Sequence, residues 1–137
     1  MNERFHHLLR HLEKNEIGIS NEDFDKIVQH LGFKLPESYA SVIKTFNGGE
    51  GEVGTDSWLN LFPLEELNEG YDYLMSEIPD YVLFGKNSAD TGYAFHKFNV
   101  TFHSFGLLSN FKTDPIEFLG NDLLEFLEYL DNYKYKK

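Results

Sequence analysis

The chain contains no cysteine. Disulfides, thiolate metal sites and cysteine nucleophiles are thereby excluded, and a reducing compartment suits such a chain. No apolar run approaches the roughly 18–20 residues that a membrane helix needs. The opening residues, MNERFHHLLRHLEKNE, are interrupted by charges and histidines and do not read as a secretory leader. Cations are scarce: 12 Lys and Arg stand against 23 Asp and Glu, for a formal net charge of -11. Nucleic acid, itself a polyanion, is therefore a poor direct partner. The one basic cluster, Lys134, Lys136 and Lys137, follows the last helical pattern, where cations complement a helix dipole. The expectation is a soluble, cytoplasmic protein without direct membrane or nucleic-acid contact.

What is present is an aromatic-rich core. Hydrophobic residues make up 41% of the 137 residues and aromatics 16%, too apolar for disorder. This length suits a single domain over residues 1–137 with a core that needs no staples. Phe5, Leu8, Leu9 and Leu12 recur at i, i+3, i+4 and i+7 and predict a helix over about 2–14. Ser20 with Asp23 resembles a capping box that opens a second helix through Phe24, Ile27, Val28 and Leu31, with Gly32 as its stop.

The organising stretch runs from Leu35 to Glu52. Pro36 suits the first turn of a third helix. Tyr39, Val42, Ile43 and Phe46 form its apolar stripe, and Asn47-Gly48-Gly49 predicts its C-terminal cap. The acidic, glycine-rich GEGEVGTD then reads as a mobile loop, followed by a strand over Trp58–Phe62, with Trp58 expected in the core. Pro63 opens a helical turn with Glu65 and Glu66 in its first residues, and Gly70 interrupts any continuation through Tyr71 and Leu74. Strands follow at Tyr81–Gly85, Tyr93–His96 and Val100–Phe105, the last two as a hairpin. Ile116–Leu119 suggests a short edge strand, able to pair across a dimer if exposed. Asn121 is the expected N-cap of a final helix carrying Leu123, Leu124, Phe126, Leu127 and Leu130. The short strand connections exclude parallel crossovers. The fold class is α+β, a mostly antiparallel twisted central sheet flanked by N-terminal helices and a C-terminal helix.

The set Leu35-Pro36-x-x-Tyr39, Asn47-Gly48-Gly49, the Trp58 strand ending in Phe-Pro-Leu-Glu-Glu-Leu, and the strand ending in Phe84-Gly85 resembles the SUKH superfamily. Tyr93-Ala94-Phe95 and the last helix continue the resemblance, which covers about residues 21–131. These are fold signatures and none is catalytic. The family includes bacterial immunity proteins of toxin systems and a fungal cell-wall-synthesis regulator, so the resemblance implies a binding protein and no enzyme.

Chemistry-bearing patterns are thin. His7 and His11 share i, i+4 spacing with Glu3 nearby, but a metal site needs three or four ligands, so a solvated face is expected, without metal or cofactor. His96 and His103 can meet across the hairpin without forming a site. The serines lack a nucleophile-elbow setting. Gly48-Gly49-Glu50-Gly51 lacks the ending of a phosphate loop and carries the wrong charge.

One feature stands out. No Lys or Arg lies between Lys44 and Lys86, an interval holding nine acids. Concentrated charge of one sign steers a basic partner, and Trp58, Tyr71, Tyr73 and Tyr81 are types that anchor interfaces. A solvated acidic face is the equally open reading. Glu50, Glu52, Asp56, Glu65, Glu66, Glu69 and Asp72 are the candidate partner-binding residues. With the resemblance, they suggest an immunity protein that occludes a cognate, basic, possibly nuclease, toxin domain. A regulatory scaffold of the cell-wall-synthesis type is the alternative, and the chain is expected as a monomer or homodimer.

Overall fold

The strands take up the chain order without exception. A computed structural model describes residues 2–15 and 17–135. Its seven strands are β1 (Leu12–Lys14), β2 (Gly49–Val53), β3 (Ser57–Leu61), β4 (Tyr81–Lys86), β5 (Thr91–His96), β6 (Phe102–Gly106) and β7 (Glu117–Gly120). They form one sheet in the order β1-β2-β3-β4-β5-β6-β7, every pair antiparallel. Helices α1 (Glu3–Leu8), α2 (Asn21–Leu31) and α3 (Glu37–Thr45) precede most of the sheet, α4 (Asp72–Met75) interrupts it, and α5 (Leu123–Asn132) closes it. The fold is α+β, with helices at both ends flanking an antiparallel sheet.

Helices α1, α2 and α5 begin where the sequence offers a side-chain acceptor, whereas α3 and α4 start without one. The Ser20 hydroxyl accepts from the Asp23 N–H at 3.1 Å, and Gly32 ends α2 in the left-handed region. The Asp122 carboxylate, one residue beyond the expected Asn121, accepts from the Glu125 N–H at 2.8 Å. Asn121 instead donates from its backbone to Glu125. Pro36 is the residue before α3 rather than part of its first turn.

The core is aromatic. Phe84 is enclosed, with ring centroids of Tyr39, Phe102 and Phe126 at 5.4–5.7 Å in edge-on contact. This joins α3, the sheet and α5 around one ring, and each such buried side chain contributes about 1.5–3 kcal/mol by burial. A smaller core on the opposite sheet face gathers Met75 of α4 with Leu83, Ala94, Phe105 and Leu107.

Several expectations are corrected. The helix expected over 2–14 stops at Leu8, and Leu12–Lys14 pairs with β2 instead. His7 and His11 therefore do not share a helix face. The third helix ends at Thr45; Phe46 is already extended, and Gly48 takes φ +96° beyond it. The acidic stretch is a strand rather than a loop: Gly49, Gly51 and Val53 face inward, while Glu50 and Glu52 face out. Gly51 permits this, since a Cβ there would collide with the His11 carbonyl and lie 2.9 Å from the Leu12 Cα. Trp58 is not core. Leu59 and Leu61 take the inward positions, which leaves Trp58 on the outer face and 36% exposed. Val100 belongs to the β5–β6 turn, with φ +53°.

Lys134 does not cap α5; its Nζ donates to the Thr55 hydroxyl at 3.0 Å, on the β2–β3 turn. Lys136 and Lys137 lie outside the described residues.

Candidate functional site

The sheet opens at one end. β3 and β4 pair only at Asn60–Lys86 and Leu61–Gly85, while β2 and β3 stay paired out to Val53 and Ser57. The tip of the β2–β3 hairpin therefore runs past β4 and leans on α5. The Ser57 hydroxyl donates to the Leu130 carbonyl at 2.7 Å. Gly54, at φ +73°, brings the turn so close to Asp131 that a Cβ would lie 2.6 Å from its carbonyl oxygen. The Tyr135 N–H donates to Asp56 at 2.9 Å.

A cleft of about 640 Å³ lies between this tip, the β4–β5 turn and the end of α5. Tyr93, Ser104 and Glu117 line it. They are successive partners across β5, β6 and β7, with Tyr93 opposite Ser104 and Ser104 opposite Glu117. Tyr129 and Tyr133 form an aromatic wall, their ring centroids 6.3 Å apart. Trp58 and Glu52 stand on the hairpin side. No lysine, arginine or histidine lines the cleft among the described residues.

The electrostatics follow from this placement. Tyr93 has its phenol pushed up to about 12, by burial first and then by Tyr129 and Tyr133. Tyr129 is also raised, by burial, then by the Glu117 carboxylate, then by Tyr133. Tyr93 is 5% exposed and Ser104 8%, and neither hydroxyl bonds to another described residue. Neither is fully sealed, so both hydroxyls reach the cleft.

The acids proposed from sequence occupy several places, all exposed. Glu52 and Asp56 border the cleft. Glu50 lies on the outer sheet face directly opposite Glu13 of β1, a like-charge pair that costs stability. Glu65 accepts from the Asn47 amide, and the same Asn47 accepts from the buried Leu64 N–H at 2.8 Å. Glu65 thus has a structural partner. Glu66 sits at the end of the short 3-10 turn Leu64–Glu66, Glu69 follows it, and Asp72 opens α4. The sequence reading missed Glu13, Tyr93, Ser104, Glu117, Tyr129 and Tyr133. Only the i, i+4 spacing of Tyr129 and Tyr133 could have signalled any of them.

The fold-signature residues have clear roles. Leu35, Pro36 and Tyr39 are buried at the start of α3, and Asn47 ties the chain after α3 to the Leu64 turn. Gly85, opposite Leu61, leaves room for Asn60, whose carbonyl oxygen would stand 2.7 Å from a Cβ.

Residues 18–129 match the SMI1 / KNR4 family (SUKH-1). The chain belongs to this family. Comparison with curated proteins finds no match. SUKH-1 membership makes this a domain of the immunity or regulator-like type. No helix among the described residues of this SUKH-1 chain is long and apolar enough to cross a membrane.

Proposed function

We propose that this SUKH-1 chain is a non-catalytic binding protein, a cytoplasmic immunity factor that neutralises a cognate toxin domain by occlusion. The observation that carries the reading is uncompensated surface charge. All nine acids between Lys44 and Lys86 are exposed. Among the described residues the ion pairs are Arg4–Glu128, Lys26–Glu22 and Lys34–Glu37, and none involves that interval. A face of one sign attracts a basic partner at long range and favours its docking. A nuclease domain, whose substrate is a polyanion, presents such a basic surface.

The test is association kinetics with a candidate toxin domain, sought first in the neighbouring genes, at low and high salt. Reversal of Glu50, Glu52 and Asp56 to lysine is expected to slow association about tenfold or more at low salt and to flatten its salt dependence. Unchanged rates at both salts would remove this surface from the mechanism. Failure of the wild type to form any complex or protect against the toxin would refute the immunity reading.

A further inference from the structure

The cleft beneath α5 carries more than a negative potential. Its floor holds two nearly buried hydroxyls, those of Tyr93 and Ser104, without a protein partner among the described residues. Both open into the cleft side by side, so a ligand or an ordered water there would complete their hydrogen bonding. Beside them on the same row stands Glu117, exposed and without a hydrogen-bond partner among the described residues. Asp56 and Asp114, by contrast, each accept a backbone N–H at 2.9 Å. Tyr129 and Tyr133 stand over the row as half-exposed rings, and Trp58 forms the opposite wall with Glu52.

We propose that this cleft receives an arginine side chain of the protein partner. The guanidinium stacks on the tyrosine wall and donates to the Glu117 carboxylate and the Tyr93 and Ser104 hydroxyls. Several features select arginine. The cleft offers acceptors and aromatic faces together, and guanidinium is the side-chain group that carries five donors in a plane and stacks on rings. The bordering carboxylates Glu52 and Glu117 favour a cation, and no cationic side chain already lines the space among the described residues. A lysine ammonium has three donors and no planar face, so it fills less of this arrangement. The inference rests on the proposed function for the partner's identity but not for the cleft's chemistry.

Trp58 is the chain's single tryptophan and lies in the cleft wall, so its fluorescence reports occupancy directly. The full chain is titrated with N-acetyl-arginine methylamide and with the neutral citrulline analogue. The expected result is a saturable change with the arginine probe and none with citrulline. Glu117→Gln, at an exposed position that leaves the core intact, should weaken the arginine response about tenfold. Asp25→Asn, exposed on α2 and remote from the cleft, should leave it unchanged. Equal responses to both probes, a response that does not saturate, or an unaltered Glu117→Gln variant would overturn the proposal. Toxin capture then separates the two readings. Normal capture by Glu117→Gln with Tyr129→Leu overturns the arginine receptor and leaves immunity standing. Arginine binding by a protein that captures no toxin supports the receptor and refutes immunity.

Discussion

The Tyr39 hydroxyl is fully buried and has no hydrogen-bond partner among the described residues. Its ring touches Phe84 and Phe95 at 5.5–5.7 Å, so the aromatic contacts hold the side chain while the oxygen goes unpaired. Burial raises its phenol pKa well above the ordinary tyrosine range, and Glu65 adds to the shift. Tyr39→Phe keeps the ring and removes the oxygen. An unsatisfied buried hydroxyl costs about 1–3 kcal/mol. The void left by one oxygen, roughly 10–15 Å³, returns about 0.3 kcal/mol of that. The expected net effect is a gain of about 1 kcal/mol. With an unfolding entropy near 2.1 cal/mol/K per residue over 137 residues, Tm rises by about 3–4 °C. Urea unfolding and calorimetry on the two proteins measure both quantities. A loss of 1 kcal/mol or more would refute the reasoning, because it would mean that the hydroxyl is satisfied inside the core.

Gly51→Ala should expel β1 from the sheet edge, since the new Cβ meets backbone that cannot yield. A loss of about 2 kcal/mol or more is expected as Leu12 is exposed, together with lost amide protection at residues 12–14; retained protection contradicts the packing. Stability should also fall in alkali. The folded-state pKa of Tyr93, about 12, lies above the ordinary tyrosine value of 10.0, so the folded protein keeps its proton longer. The stabilisation is complete below pH 10 and is lost as pH rises from 10 towards 12. Urea midpoints across that window should decline less steeply in Tyr93→Phe.

Much of the architecture was legible because it rests on local chemistry. Ser20 with Asp23, Gly32, Pro63 and the short turns that separate β4, β5 and β6 each announce an element without help from the rest of the chain. The misreadings share a different cause. Phe5, Leu8, Leu9 and Leu12 satisfy a helical period, yet a three-residue strand that buries only Leu12 satisfies it equally well. In Gly49–Val53 the inward side is mostly glycine, chosen for backbone approach, so no apolar alternation signals a strand. In Ser57–Leu61 both alternating sets hold large apolar residues, and pairing with β2 decides that Trp58 faces out. The cleft was the least legible part. Its row of Tyr93, Ser104 and Glu117 exists only once two strand registers are set, and its wall comes from the far end of α5.

The strand order also has a kinetic consequence. From β2 onward every strand meets a partner next to it in the chain. β1 is different: between it and β2 lie α2 and α3, and the chain closes only where the Asn15 N–H donates to the Gly48 carbonyl at 3.0 Å. Closing residues 15–48 costs about 2 kcal/mol more chain entropy than closing a hairpin of about four residues. The hairpins of β4, β5 and β6 can therefore form early, whereas β1 and α1 dock last and leave first. Substitutions in β1 should accelerate unfolding and leave the folding rate nearly unchanged, whereas substitutions at Phe84 or Phe95 should slow folding itself.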